Sequence, residues 1–578
     1  MQQDEIELRS RSKEAKAQDG VTVDVDDDGK SPTPGAPHTY LSTFSQTRTR
    51  RLFSMSQLFA FSLTYMGTWE AWHQSIYSPL YNGGPRAIFW GGFLAVAGAL
   101  AQAASIAEMS SLQPVAGAQY HWTYLLAPKG VNRFMCYLQG WASWFGYVAL
   151  LAGVANTTAI QLEGIVQFNH ENYVPGGWHT SVIVIALLVV LGGLNMYTFR
   201  LVPWIELTGG VLHVANWVAF IVIFAVMGPR HDPGFLFVDS TTSGWADRPV
   251  ISWHLGAVAL TWALTGFDSA IHMSEETKKA KSAVPRAIFW SICMNGCMAI
   301  IQMSVFLVSM GPIDVAMQAY VPSLTVLYNT VQNKNAATTV WTLFWFVSMS
   351  SNLASIAHVP FRAVVLCCIL TSLLCLLNIG SSTYVVFNAI TSLASWALYL
   401  SYAICILSMV LARLEQGADL QLGDWNLGRY GLYINVSALV YTLYMMVWLP
   451  FPSTTPVDAA TMNYCAIVVA FILVFTFGMW FGWARKNWPG PNLTIRDYLL
   501  KDPLGIVPGR HALQELDVVG AVAADGILEA AGEVEVEEVV RGALGDRGRL
   551  GLAVPSLAHV AHAGVVLGIE PARGEEDH

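Results

Sequence analysis

The chain has 578 residues, 54% of them hydrophobic and only 12% charged, with a mean hydropathy of +0.44. A soluble globular chain carries about twice that charged fraction, so the composition excludes an ordinary soluble domain and points to the bilayer. The formal net charge of −9 arises largely in the two polar ends, and no basic face or aromatic RNA-binding pattern is present, so no nucleic-acid partner is expected. No HExxH, GxSxG, phosphate-loop or dinucleotide fingerprint occurs, which argues against an enzyme. The eight cysteines form no CxxC pair and sit mostly inside apolar runs, where they read as small buried hydrophobes.

Residues 1–51, with the run DVDDDGKSPTPG, read as a disordered cytosolic tail. From Leu52 to Asn487 apolar runs recur at the length of about 20 residues that a bilayer requires. Helices are expected at 55–79, 87–112, 134–160, 180–200, 205–227, 254–275, 288–310, 336–357, 361–380, 384–412, 431–450 and 463–484. This is an all-α polytopic membrane protein of about twelve transmembrane helices. Residues 488–578 form a second cytosolic tail, and from His511 onward it contains no Lys, Phe, Trp, Tyr, Cys or Met.

With the amino terminus inside, the inner loops collect Lys129, Arg133, Arg200, Lys278, Lys279, Lys281, Arg286, Arg362, Arg413 and Arg429. The outer loops receive Arg86, Arg230, Arg248 and Lys334. Ten against four follows the positive-inside rule and places both termini in the cytosol.

The hexapeptide PRAIFW occurs at Pro85–Trp90 and again at Pro285–Trp290. Each copy is expected to open a helix, because a proline at the first turn gives up no hydrogen bond. Each follows a helix interrupted by glycine and a polar group, YMGTWEAW (Tyr65–Trp72) and LTGFDSA (Leu264–Ala270). Five helices separate the copies, so they face opposite sides. That is the pattern of an inverted repeat, helices one to five related to six to ten, with broken first and sixth helices meeting at the midplane.

A helix break in lipid is tolerated only where it lines a cavity or binds something. Gly67 and Gly266 permit the unwinding, since glycine reaches positive φ without strain. Ionisable residues at such depth are functional candidates. Glu70 is expected either to pair with a cationic substrate or to satisfy the broken backbone. Asp268 reads more as a brace for the second break than as a substrate contact. Glu108, Glu163 and Glu206 fall near helix ends or packed interfaces and read as structural. Trp69, Trp72, Trp262 and Phe267 are candidates for a cation-holding aromatic cage. The pair Glu275–Glu276 could form gate salt bridges, while Lys278, Lys279 and Lys281 read most simply as a cytosolic anchor.

The stretch GFDSAIHMSEETKKAKSAVPRAI resembles the sixth-helix signature of the amino acid/choline transporter family, within the amino acid–polyamine–organocation permease superfamily. SIAEMSSLQPVAGAQYHWTYLLAP, LQGWASWFGYVALLAGVANTTA and LYNGGPRAIFWG carry the same resemblance, in family order. It covers about Leu52 to Asn487 and is especially like that of the fungal members described as choline or GABA permeases. The resemblance implies a five-plus-five inverted fold with two extra helices, moving choline or a small amino acid or amine by alternating access across the plasma membrane. It implies no cofactor, and coupling to H+ or another ion is left open, as is the oligomeric state. The implied substrate-binding set is Tyr65, Gly67, Thr68, Trp69, Glu70, Asn156, Trp262, Thr265, Gly266, Phe267 and Asp268, with Glu275, Glu276 and Lys278 as gate residues. Helices three and eight would close the site. One departure stands out: SSNLASIA (350–357) runs directly into HVPFRAVV (358–365), where relatives carry some tens of further residues. A non-transporting nutrient sensor and a chain inactivated by that missing segment are the alternative readings.

Overall fold

The computed structural model describes residues 53–197, 202–274, 277–356, 361–380, 383–417, 420–458 and 461–491. The expectations for residues 1–51, for most of the carboxyl-terminal tail, for Glu275 and Glu276 and for the 357–360 turn lie outside these residues, as does the side chain of Glu206. Among the described residues the regular structure is helical, and an isolated bridge between Phe53 and Thr277 is the one strand-like contact.

The first expected span, 55–79, is not one helix. It runs as α1 (Met55–Met66), stops at Gly67 and resumes as α2 (Thr68–Gln74), with α3 (Tyr77–Tyr81) following. Ser54 opens α1 with a capping box, its hydroxyl accepting from the Gln57 N–H while the Gln57 side chain accepts from the Ser54 N–H. Gly67 stops it with left-handed φ and ψ of 43° and 47°, a conformation that costs a residue with a Cβ roughly 1–2 kcal/mol.

Then come α4 (Gly84–Leu112), α5 (Ala118–Leu126), α6 (Asn132–Asn169), α7 (Gly177–Tyr197) and α8 (Val202–Met227). The sixth span is broken like the first. It begins as α9 (Pro249–Val258), tightens into a turn at Trp262–Leu264, passes Gly266 at φ 82°, and ends as the short α10 (Ser269–His272). Beyond it lie α11 (Ala280–Ser309), α12 (Ile313–Met317), α13 (Pro322–Val331), α14 (Lys334–Ile356), α15 (Phe361–Cys375), α16 (Thr383–Gln416), α17 (Gly431–Trp448) and α18 (Cys465–Met479).

Nine spans among the described residues are long and apolar enough to cross a bilayer, counting α9 to α10 as one. The split α1–α2, the more polar α14 and the shorter apolar stretch Val364–Ile379 complete the expected dozen. Within their most apolar windows α6 and α16 are 72% buried, against 28% for α8 and α18. The former pair is therefore central. The latter turns Val222, Val226, Phe471 and Val474 outward, a face suited to lipid.

The repeat read from PRAIFW has a structural counterpart. Val96 and Gly296 each lie eleven residues after their repeat's proline, and they touch: a Cβ on Gly296 would sit 2.5 Å from Val96 Cγ1. Contact between equivalent positions is what a twofold axis between α4 and α11 requires. The ring pairs match as well, Phe89–Trp90 at 5.3 Å and 78°, Phe289–Trp290 at 5.4 Å and 79°.

One expectation is corrected. Pro85 does stand in the first turn of α4, but Pro285 lies inside α11, which starts at Ala280 rather than 288. Lys279, in the left-handed region at φ 52°, turns the chain into the helix early. The N–H that Pro285 lacks therefore costs α11 an internal hydrogen bond.

Candidate binding site

The two breaks meet, and side chains of the first satisfy backbone carbonyls of the second. Thr68 Oγ1 donates to the Ala263 carbonyl at 3.0 Å, and Trp72 Nε1 donates to the Leu260 carbonyl at 2.9 Å. Asn295, from α11, spans the first break: its Oδ1 accepts from the Thr68 N–H at 3.2 Å and its Nδ2 donates to the Leu63 carbonyl at 3.1 Å. At the second break the Gly266 N–H donates to the Tyr402 hydroxyl at 3.1 Å. Each such bond is worth about 1 kcal/mol net, and more where the alternative is an unpaired group in hydrocarbon.

Between the breaks lies a cavity lined by Tyr65, Gly67, Glu70, Trp262 and Thr265, with Leu150 and Val154 from α6 and Val347, Ser348 and Ser351 from α14 closing its other walls. Only about 30 Å³ is open to water centres, room for one or two waters. The site is narrow. A larger cavity of about 220 Å³ lies on the far side of Gln74, among Tyr77, Gln161, Tyr320 and Phe387. Gln74 belongs to both walls. Trp262 meets Phe387 edge to face at 5.7 Å, and together they form an aromatic partition beside the inner cavity.

Glu70 supplies the one charged side chain in the lining, which among the described residues includes no Lys, Arg or His. It is 2% exposed. Its Oε1 accepts from His213 Nδ1 at 2.7 Å, while its Oε2 has no hydrogen-bond partner among the described residues. Of the two roles expected for Glu70, satisfying the broken backbone falls to Asn295 instead. Asp268 is held differently: Oδ1 accepts from Tyr402 at 2.5 Å, Oδ2 from Gln119 Nε2, and His272 Nε2 stands 4.0 Å away.

The expected site residues thus divide. Tyr65, Gly67, Glu70, Trp262 and Thr265 come together around the cavity, and Thr68, Trp69, Asn156, Gly266, Phe267 and Asp268 do not line it. Thr68 is spent on the second break. Trp69 packs behind the site against His73, His213, Phe220 and Phe344. Phe267 lies on the Tyr402 ring at 5.1 Å. Asn156 turns the other way, its Oδ1 accepting from Asn378 at 2.8 Å. Of the proposed aromatic cage only Trp262 faces the cavity, joined by Tyr65.

Lys278 contributes a backbone bond, its N–H donating to the Phe53 carbonyl at 3.0 Å. That bond ties the segment before α1 to the segment after α10. Glu108 accepts twice from Arg413, at 2.6 and 2.7 Å, and Glu163 accepts from Thr180, Tyr320 and Tyr173. Both are fully paired structural groups. Sequence reasoning missed His213, Asn295, Tyr402 and Gln119. The first three carried a usable signal, since each is a polar side chain set within an apolar run (VLHVANW, ICMNGCM, LSYAIC), where a polar group needs a partner.

A family model for amino acid permeases matches residues 53–359 and 355–473. The two matched segments meet where α14 gives way to α15, the junction that reads as shortened in the sequence. Amino-acid permease 2 of Neurospora crassa is 27% identical over 499 residues, covering 79% of this chain and 90% of that protein. The choline transporter of Saccharomyces cerevisiae is 24% identical over 466 residues, covering 75% and 81%. A transmembrane transporter of Metarhizium robertsii is 26% identical over 438 residues, covering 70% and 86%. With the helical architecture, the paired breaks and a family match across most of its length, this chain belongs to the amino acid permease family.

Proposed function

We propose that the chain is a secondary transporter that carries choline or a small amino acid or amine across the plasma membrane by alternating access, with both termini in the cytosol. The observation that carries this reading is the narrow cavity at two apposed helix breaks, into which Glu70 presents a carboxylate oxygen, Oε2, that has no partner among the described residues. Breaks of this kind persist in a membrane only around a cavity or a ligand. The sequence relatives, permeases and a choline transporter among them, agree with the same reading.

In this mechanism substrate enters through the cavity beside Tyr77 and Tyr320, passes Gln74 and the Trp262–Phe387 partition, and settles against Glu70, Tyr65 and Thr265. Release to the cytosol separates the opposite seal. That seal comprises the Phe53–Lys278 tie, with Glu275 and Glu276 as further gate groups. The exchange between the two states is a rocking of the broken helices against α6 and α14.

Uptake of labelled choline into cells lacking their own carrier tests the proposal, with GABA, basic and neutral amino acids as competitors. Saturable uptake that one of these compounds suppresses supports it and names the substrate. No uptake from a chain shown to reach the surface defeats it. A chain that holds ligand without flux would then be the sensor, an outcome consistent with the interrupted family match at residues 355–359.

A further inference from the structure

A site for an amino acid must hold a carboxylate as well as an ammonium group. In a broken-helix site the carboxylate is held by backbone N–H donors exposed where a half-helix begins. Here part of that set is occupied by the protein itself. The Gly67 N–H donates to the Leu63 carbonyl at 3.1 Å and the Thr68 N–H to Asn295 Oδ1 at 3.2 Å. Across the cavity the Thr265 N–H donates to the Trp262 carbonyl at 3.1 Å and the Gly266 N–H to the Tyr402 hydroxyl at 3.1 Å.

The place beside the first break is filled by a carboxylate already. Glu70 Oε2 lies 3.5 Å from where a Cβ on Gly67 would stand, folded back over the start of α2. It is buried and, among the described residues, unpartnered. His213 fixes the other oxygen, and His213 is itself buried with Nε2 unpartnered among the described residues. Among the described residues the lining itself holds no Lys, Arg or His, and the one ionisable group on Glu70 is the His213 ring at its Oε1. The remaining surface is the Tyr65 and Trp262 rings, four serines and threonines (Thr64, Thr265, Ser348, Ser351), the Gln74 amide, Gly67 and apolar side chains. Aromatic faces and a carboxylate attract a cation. A ligand carboxylate would meet the Glu70 carboxylate, whose ionisable partner His213 is already engaged on the other oxygen, and like charges set together in a desolvated site repel by several kcal/mol.

We propose that this cavity selects a small organic cation that carries no carboxylate, with Glu70 as its counter-ion and His213 as the residue that positions it. The inference rests on the transport reading for its biological meaning, but it concerns binding alone and is tested by binding.

The experiment uses the purified full-length chain in lipid nanodiscs and two ligand pairs that differ only by a carboxylate in place of a hydroxymethyl group: glycine betaine against choline, and GABA against 4-aminobutan-1-ol. Titration calorimetry should show the alcohol of each pair binding at least about tenfold more tightly than its acid. Glu70→Gln, which keeps the shape and removes the charge, should weaken the alcohols by at least about tenfold and erase the preference within each pair. Betaine or GABA binding as tightly as its partner overturns the proposal, and so does a folded protein that binds none of the four. Preference without uptake in cells leaves this inference standing and removes the transport function. Uptake together with equal binding of acid and alcohol does the reverse.

Discussion

Two carboxylates follow the two helix-breaking glycines, Glu70 three residues after Gly67 and Asp268 two residues after Gly266. By sequence they are equivalent signals. Their surroundings separate them. Both oxygens of Asp268 are taken, by Tyr402 and Gln119, and the same Tyr402 hydroxyl accepts the Gly266 N–H. Asp268 is therefore a splint that fixes an unwound turn to α16 and α5. Glu70 has one oxygen fixed by His213 and the other left open to the cavity. A fully satisfied buried charge holds structure together, and a half-satisfied one is available to a ligand.

The largest expected effect breaks the splint. Asp268→Ala leaves the Tyr402 hydroxyl and the Gln119 amide buried without their acceptor, which should cost about 3 kcal/mol of stability. The readout is the thermal unfolding midpoint of the full-length chain, beside that of Glu70→Gln. Glu70→Gln keeps a hydrogen-bonding group toward His213 and should leave the midpoint close to wild type. Equal losses in the two variants would end the distinction between splint and ligand group.

How much of this was legible beforehand follows from the range of each signal. The spans could be read from apolar run length, and the breaks from Gly67 and Gly266 beside polar residues, because these are local patterns. The repeated PRAIFW gave the inverted relation, since a twofold fold written twice leaves two copies. The partners could not be read. His213 is 143 residues from Glu70, Asn295 is 227 from Thr68, Tyr402 is 136 from Gly266 and Gln119 is 149 from Asp268. Nothing local pairs residues across such distances. For the same reason Trp69 read as a ligand aromatic, although the turn of α2 that brings Glu70 to the cavity points Trp69 into the Phe220–Phe344 cluster behind it.

The glycines themselves give the second test of the comparison. Alanine at Gly67 would be strained by the left-handed backbone, but its Cβ would meet nothing closer than 3.5 Å. Alanine at Gly266 suffers the same strain at φ 82°, and its Cβ would come within 2.8 Å of Leu150 Cδ2 and 3.1 Å of Tyr65 Cε1. Backbone strain alone costs about 1–3 kcal/mol. Gly266→Ala should therefore lose more stability than Gly67→Ala, by about 1 kcal/mol for the added crowding, and should disturb ligand affinity as well because Tyr65 lines the cavity. An equal loss at the two positions would show that the break tolerates crowding by relaxing, and the two walls would no longer differ.

The smallest effect concerns Asn156, which sits on the same helix as the cavity-lining Leu150 and Val154 yet faces elsewhere. Its carbonyl oxygen accepts from Asn378, whose amide also donates to the Cys375 carbonyl at the end of α15. Asn156→Ala removes one buried acceptor while the Asn378 amide keeps its other bond, so the loss of stability should be about 1 kcal/mol. Because Asn156 touches no lining residue through that bond, the KM for uptake should stay within about twofold of wild type. A large rise in KM with stability intact would place Asn156 in contact with substrate. It would mean that the cavity extends along α6 toward α15 when the partition at Trp262 and Phe387 opens, and that the small cavity at the two breaks is only the narrow end of it.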